Sequence, residues 1–221
     1  MGVSFSVTSP IRVSAFIDGF NLYHAIDDLG AHYLKWVNLR ALCEEFAPSP
    51  QYVLTHTFYF SAYATWRLGA YARHREFVRA LRFVGVTPVM GKFKPKDRTC
   101  KSCGHKWVDH EEKQTDVNIG LHLLREAFNN TYDRALLITG DSDLVPAVSL
   151  VRSDFPQKDI RIIAPVGRGH SMDLLTAVGG KANCRRMKTL HLERCLLASI
   201  VSDESGNVVA TRPPKYEPPK S

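Results

Sequence analysis

Five short apolar runs, separated by segments of helical spacing, set the strongest limit on what this 221-residue chain can fold into. "RVSAFID" (12–18), "YVLTHTFYF" (52–60), "VTPVM" (86–90), "ALLIT" (135–139) and "DIRIIAP" (159–165) have strand length and are rich in β-branched or aromatic residues. Between them the spacing predicts helices over about 21–28, over "LRALCEEF" behind Asn38, over 65–83 before Gly85, over 113–128, and from the fourth strand to about Arg152. Two more are predicted over 171–178 and 189–199. Strands alternating with helices imply an α/β fold with a mostly parallel sheet covered on both faces. Residues 91–112, "GKFKPKDRTCKSCGHKWVDHEE", read as a polar, turn-rich insertion, and the Pro-rich 201–221 as a disordered tail. The expected domain is therefore 12–200, behind an N-terminal segment of residues 1–11.

In such sheets ligands bind beyond the carboxyl ends of the strands. Asp18 ends the first strand, Asp141 and Asp143 follow the fourth, and Asp116 lies one turn into the 113–128 helix, so four carboxylates can converge on one crevice. Like charges at short range raise one another's pKa unless a cation offsets them. Mg2+ or Mn2+ is the natural candidate, because a hard divalent ion takes oxygen ligands and often shares them with a substrate phosphate. Metal-dependent phosphodiester cleavage follows from that chemistry. Each motif alone also has a plainer reading: "GDSD" suits a helix cap, and Asp18 before Gly19 an ordinary turn.

Charge points the same way. The net +7 favours an anionic partner, and residues 67–106 hold eleven Lys or Arg against two acids. Arg75, Arg79 and Arg82 share a face of the 65–83 helix, and Lys92, Lys94, Lys96 and Arg98 follow in the insertion, with Tyr71, Phe93 and Trp107 among them. Such cations bind phosphates without regard to sequence, and the rings can stack unpaired bases. The alternative is a solvated basic face, with Trp107 packed inside the insertion. No apolar run approaches the roughly 18–20 residues of a membrane span, and the start lacks a secretion-signal pattern, so a cytoplasmic protein with no membrane partner is expected.

The insertion carries Cys100 and Cys103 at zinc-knuckle spacing, with Gly104 after them and His105 and His110 as further candidate ligands for one structural zinc. Two reduced surface cysteines, or a redox pair, are the competing readings. Cys43, Cys184 and Cys195 are scattered in apolar surroundings and read as buried thiols.

"FIDGFNLYHAI", "EKQTDVNIGLHLLREAF" and "ALLITGDSDLVPAV", followed by "IRIIAPVGR", resemble the successive motifs of NYN domains, a branch of the PIN-like nuclease superfamily, over about residues 12–185. The insertion is similar to one in bacterial members. The resemblance implies a PIN-like three-layer α/β/α sandwich and Mg2+- or Mn2+-dependent hydrolysis of single-stranded or structured RNA at an acidic pocket. It further implies that Asp18 and Asp141 ligate the metal directly, while Asp116 and Asp143 act through water, support a second ion or orient the nucleophile. Asn21 would position a metal-bound water or a phosphate. Lys113 would contact phosphate or pair with Asp116; Thr139 and Ser142 would hydrogen-bond a carboxylate or phosphate, or cap a helix; and Tyr23 and His24 would line the wall.

Two other classes compete: a non-catalytic RNA-binding or scaffold protein on the same fold, and a phosphatase of haloacid dehalogenase type. The latter needs a nucleophile two residues before its second acid, where this chain has Phe16 before Asp18. A dinucleotide-binding Gly-x-Gly-x-x-Gly after the first strand is lacking. The sequence leaves a homodimer open.

Overall fold

The computed structural model describes residues 9–219; residues 1–8 of the expected N-terminal segment and 220–221 of the tail lie outside the described residues. A six-stranded, wholly parallel sheet runs through the molecule in the order β3 (Thr87–Met90), β2 (Tyr52–Ser61), β1 (Ile11–Asp18), β6 (Arg134–Ile138), β7 (Asp159–Ala164), β8 (Cys184–Arg186). The chain builds one half outward from β1 through β2 and β3, then returns to the far side of β1 as β6, β7 and β8. The carboxyl ends of β1 and β6 are thus the point where the strand order reverses.

Side-chain alternation along the strands feeds two cores. Val13, Ala15 and Ile17 of β1 face one side, where they meet Leu22, Ala25 and Ile26 of α1 (Gly19–Asp28), Leu39 and Leu42 of α2 (Leu39–Phe46), and Phe77, Val78 and Leu81 of α3 (Leu68–Phe83). Phe16 of β1 and Phe58 and Phe60 of β2 face the other side. They pack with Ile119 and Leu123 of α4 (Thr115–Phe128), Val148 and Val151 of α5 (Val145–Asp154), and Leu174 of α6 (Met172–Ala177). Helix, sheet and helix therefore form the three-layer α/β/α sandwich of a PIN-like fold. α1 starts with no connecting loop because Gly19 has no side chain: a Cβ there would lie 2.5 Å from the Phe60 carbonyl oxygen.

The insertion is not a turn-rich loop. β4 (Lys92–Thr99) and β5 (Lys106–Lys113) form an antiparallel hairpin with unbroken register from Lys92 opposite Lys113 to Thr99 opposite Lys106. Cross-strand ion pairs join Arg98 to Asp109 and Glu111, and Lys96 to Glu111, in place of an apolar face. With polar residues on both faces, the hairpin lacks the apolar alternation by which strands are read.

The tail corrects a second expectation. Past α7 (Thr189–Arg194), which is shorter than the predicted 189–199 helix, β9 (Ile200–Ser202) and β10 (Val208–Thr211) pair antiparallel. A 3-10 turn over Pro214–Tyr216 follows. Val201, Ala210 and Tyr216 are buried, the Thr211 amide donates to Glu76 Oε1 at 2.8 Å, and Arg79 donates to the Val209 carbonyl at 3.2 Å. Few but well-placed apolar anchors order a segment whose prolines only stiffen it, so the domain continues beyond residue 200 through the described tail.

Candidate active site

Asp18 is the last residue of β1 and the N-cap of α1: its Oδ1 accepts from the Asn21 amide at 2.9 Å. Its Oδ2 accepts from the Thr139 hydroxyl at 3.0 Å, and Thr139 in turn accepts from the Asp141 amide at 3.0 Å. Asn21 Oδ1 accepts from the Gly140 amide at 3.0 Å. These bonds tie the ends of β1 and β6 into one frame. Asp141 then caps the 3-10 turn Ser142–Leu144, accepting from the Asp143 amide at 2.9 Å, so the capping read from sequence belongs to Asp141. Asp116 enters from the first turn of α4, whose start is held by Glu112: its Oε1 accepts from the Thr115 amide at 3.1 Å. Glu112 was not legible in this role from the sequence, because Glu is not a helix-capping residue type and the N-cap position falls on Gln114.

The frame gathers Asp116, Asp141 and Asp143, each with a carboxylate oxygen within 4.8 Å of the others. Asp18 stands beside this grouping rather than in it, with both oxygens already hydrogen-bonded, although it lines the same cavity. The direct pairing of Asp18 with Asp141 expected from sequence thus differs from the grouping that the fold presents. Burial pushes the Asp18 carboxyl up to about 6, against the hydrogen bonds from Asn21 and Thr139, and the charges of Asp116 and Asp141 add to the rise. Partial burial also raises Asp116, with further contributions from Asp141, Glu112 and Asp143. Three clustered carboxylates, at least one resisting ionisation, fit a hard divalent cation such as Mg2+ or Mn2+.

The acids open into a cavity of about 860 Å³. Part of its wall is aromatic: Trp66 stacks on His110 at 3.6 Å and meets Phe93 edge-on at 4.8 Å, and Phe93 meets Phe20 at 5.5 Å. Tyr23, Lys35, Tyr59, His74, Phe77 and Tyr216 line the same cavity. There Lys35 Nζ lies 3.9 Å from the Tyr23 ring centre, and His74, held low at about 4 by burial, hydrogen-bonds the Tyr59 hydroxyl at 3.1 Å. Tyr23 and His24 both line the cavity as expected.

The basic residues are placed differently from the sequence expectation. Lys92, Lys94, Lys96 and Arg98 alternate along one face of β4, and Phe93 on the opposite face turns to the cavity. Lys96 and Lys113 are paired with Glu111, and Arg98 with Asp109 and Glu111. On α3, Arg79 pairs with Glu76 and holds the tail, Arg75 lies over the Tyr71 ring, and Arg82 sits in the last turn. The cations lining the cavity are instead Lys35, Arg67, Arg73 and Arg168. Lys113 pairs with Glu111 rather than Asp116.

The zinc ligand set is also redistributed. Cys100 and Cys103 sit at the hairpin tip, whereas His110 is opposite Pro95, about 13 Å down the strand at roughly 3.3 Å per residue, and stacks on Trp66. It cannot share an ion with the cysteines. His105 stacks beside Trp107, which is 46% exposed rather than packed inside the insertion. Cys43, Cys184 and Cys195 are buried, as read. Among the described residues no helix is long and apolar enough to cross a membrane.

Comparison with known proteins agrees with this architecture. A solved structure of a protein of unknown function from Vibrio parahaemolyticus superposes with a TM-score of 0.53 at 18% identity, covering 87% of this chain and 99% of that one, a likeness of fold. A curated relative, 6-hydroxy-3-succinoylpyridine 3-monooxygenase HspA of Pseudomonas putida, is 25% identical over 190 residues. The match takes in 70% of this chain and 59% of the relative's length. The NYN domain model matches residues 12–177, from β1 into the last turn of α6 and across every aspartate of the site. A match over most of the chain shows the family, and this chain belongs to the NYN domain family.

Proposed function

We propose that this protein is a metal-dependent ribonuclease that hydrolyses phosphodiester bonds of RNA at the Asp116–Asp141–Asp143 grouping. The observation that carries this reading is the convergence of those three carboxylates at the sheet's switch point. Asp116, Asp141 and Asp143 would hold Mg2+ or Mn2+, which when bound supplies charge neutralisation at the phosphoryl oxygens and a more acidic water. Asp18, locked by Asn21 and Thr139, keeps the two strand ends in register and adds negative potential behind the ion. In hydrolysis, water adds to phosphorus and gives up a proton to solvent by way of the carboxylate cluster, the bond to one bridging oxygen breaks, and that oxygen takes a proton from solvent and leaves as the free hydroxyl of the second RNA fragment. Trp66 and Phe93 offer ring faces and edges to an unpaired base, and Arg67, Arg73 and Arg168 attract flanking phosphates.

The test is incubation of the full chain with single-stranded and structured RNA in Mg2+, Mn2+ or EDTA, beside Asp116→Asn and Asp141→Asn. Cleavage should require the ion and fall about 100-fold or more in either variant. Cleavage that survives EDTA, or is equal in the variants, defeats the reading.

One observation favours a second reading. The cavity joins aromatic walls to Arg73 and to Lys35, the latter paired with Asp27, a suitable site for a small heteroaromatic acid such as the one in the relative's name. Tight binding of such an acid by protein that leaves every RNA intact would favour it.

A further inference from the structure

The tip of the β4–β5 hairpin carries two free cysteines in one turn. The chain turns through Cys100–Gly104 with the Gly104 amide donating to the Cys100 carbonyl at 2.9 Å and the Cys100 amide to the His105 carbonyl at 2.8 Å. Gly104 takes φ +71°, a conformation that its missing side chain allows. Cys100 and Cys103 both lie in this turn, Cys103 exposed and Cys100 half-buried, and neither is in a disulfide. Two thiols on one exposed turn, its backbone closed by its own hydrogen bonds, can be presented together to a soft cation.

The tip itself supplies only two ligands. Among the described residues the three-ligand groupings reduce to the aspartates of the active site, and the residues outside the description, "MGVSFSVT" and "KS", include no Cys, His, Asp or Glu. A structural zinc site closes with four ligands. The hairpin forms its own two-stranded sheet, and Cys103 is exposed at its end. A second tip can approach it without obstruction from the sandwich.

We propose that Cys100 and Cys103 bind zinc jointly with the same two cysteines of a second copy of this chain, giving a tetrathiolate ion that joins two molecules hairpin to hairpin. Charge favours this occupant. Lys101 and Lys106 make the segment 99–106 cationic with no acid among its residues, so two bare tips repel. Zinc with four thiolates carries a net charge of −2, which turns that repulsion into attraction. The exposed Trp107 and the His105 ring beside it flank the tip and would be covered by the partner. The proposal is independent of the chemistry proposed for the aspartates.

The test measures zinc content by elemental analysis and mass by light scattering on the full chain expressed with zinc. The expected result is one zinc per two chains and twice the 24.9 kDa of a single chain. A zinc chelator should give monomer, and added zinc should restore the dimer. Cobalt in place of zinc should give the absorption of a tetrahedral, sulfur-rich site. Cys100→Ser with Cys103→Ser should be monomeric and metal-free, with an unchanged melting temperature because the tip packs on nothing in the core. Zinc bound to a monomer, one zinc per chain, a dimer indifferent to chelation, or a zinc-free chain with a Cys100–Cys103 disulfide would each overturn the proposal.

Discussion

The Thr139 hydroxyl, one residue past β6, donates to Asp18 Oδ2 at 3.0 Å and bridges the end of that strand to the buried acid of β1. Because the same oxygen accepts the Asp141 amide, it sets the distance between the two carboxylate-bearing strand ends. Thr139→Val keeps the shape and removes both bonds, leaving a buried carboxylate oxygen and an amide without partners. The expected cost is about 1–3 kcal/mol in urea unfolding. Thr139→Ser should restore most of it. A Val variant as stable as wild type would show that the bridge holds nothing.

Asp18 also makes stability depend on pH. Its folded pKa is raised to about 6 from an ordinary 3.8, so the native state holds a proton that the unfolded chain releases in that window. Stability from this group is greatest below pH 3.8, falls as pH rises through the window, and is at its lowest above pH 6. Asp18→Asn removes the titration. In metal-free buffer at pH 8 it should be more stable than wild type by roughly 1–3 kcal/mol, at about 1.4 kcal/mol per pKa unit less the weakened cap. Melting curves taken from pH 4 to pH 8 check this: the two proteins should converge toward the acid end, and parallel curves would contradict it.

Divalent ions should act on the same balance. Mn2+ should raise the melting temperature of the wild type and should do so weakly in Asp116→Asn or Asp141→Asn, each of which removes one of the three grouped carboxylates. Ca2+ or Mg2+ in place of Mn2+ would rank the size of the site. Equal shifts in all three proteins would place the ion elsewhere.

The tail is part of the folded domain. Tyr216→Ala opens a space beside Tyr23 and Lys35 in the cavity wall and should cost about 3 kcal/mol. Removal of residues 203–221 should lower the melting temperature by more than the point variant. A melt unmoved by truncation would return the segment to the status of a loose extension.

Much of this was legible in the sequence because it rests on local signals. The apolar runs located the sheet strands except β8, and the polar residues that end β1 and follow β6 marked the crevice. β8 escaped because "CRR" is three residues long and two of them are charged. The hairpin escaped because its pairing is carried by ions such as Arg98 with Glu111, which look like loop residues along the chain and like partners only across it. Asp143 was legible as a carboxylate. Its grouping with Asp116 and Asp141, beside rather than including Asp18, depends on the pitch of a 3-10 turn that spacing alone does not fix. The part of the cavity wall formed by Lys35, His74 and Tyr216 could not be foreseen, because these residues come from three distant segments with no shared motif.

The strand order has a consequence in time. Asp18 and Thr139 meet although 121 residues separate them, and β1 lies between the half of the sheet made first and the half made last. A growing chain that has completed β1, β2 and β3 carries one aspartate of the four and an unpaired sheet edge where β6 will dock. The acidic cluster comes into being only when the second half arrives, so a ribosome still translating this protein holds a fragment in which the carboxylates have not yet been brought together.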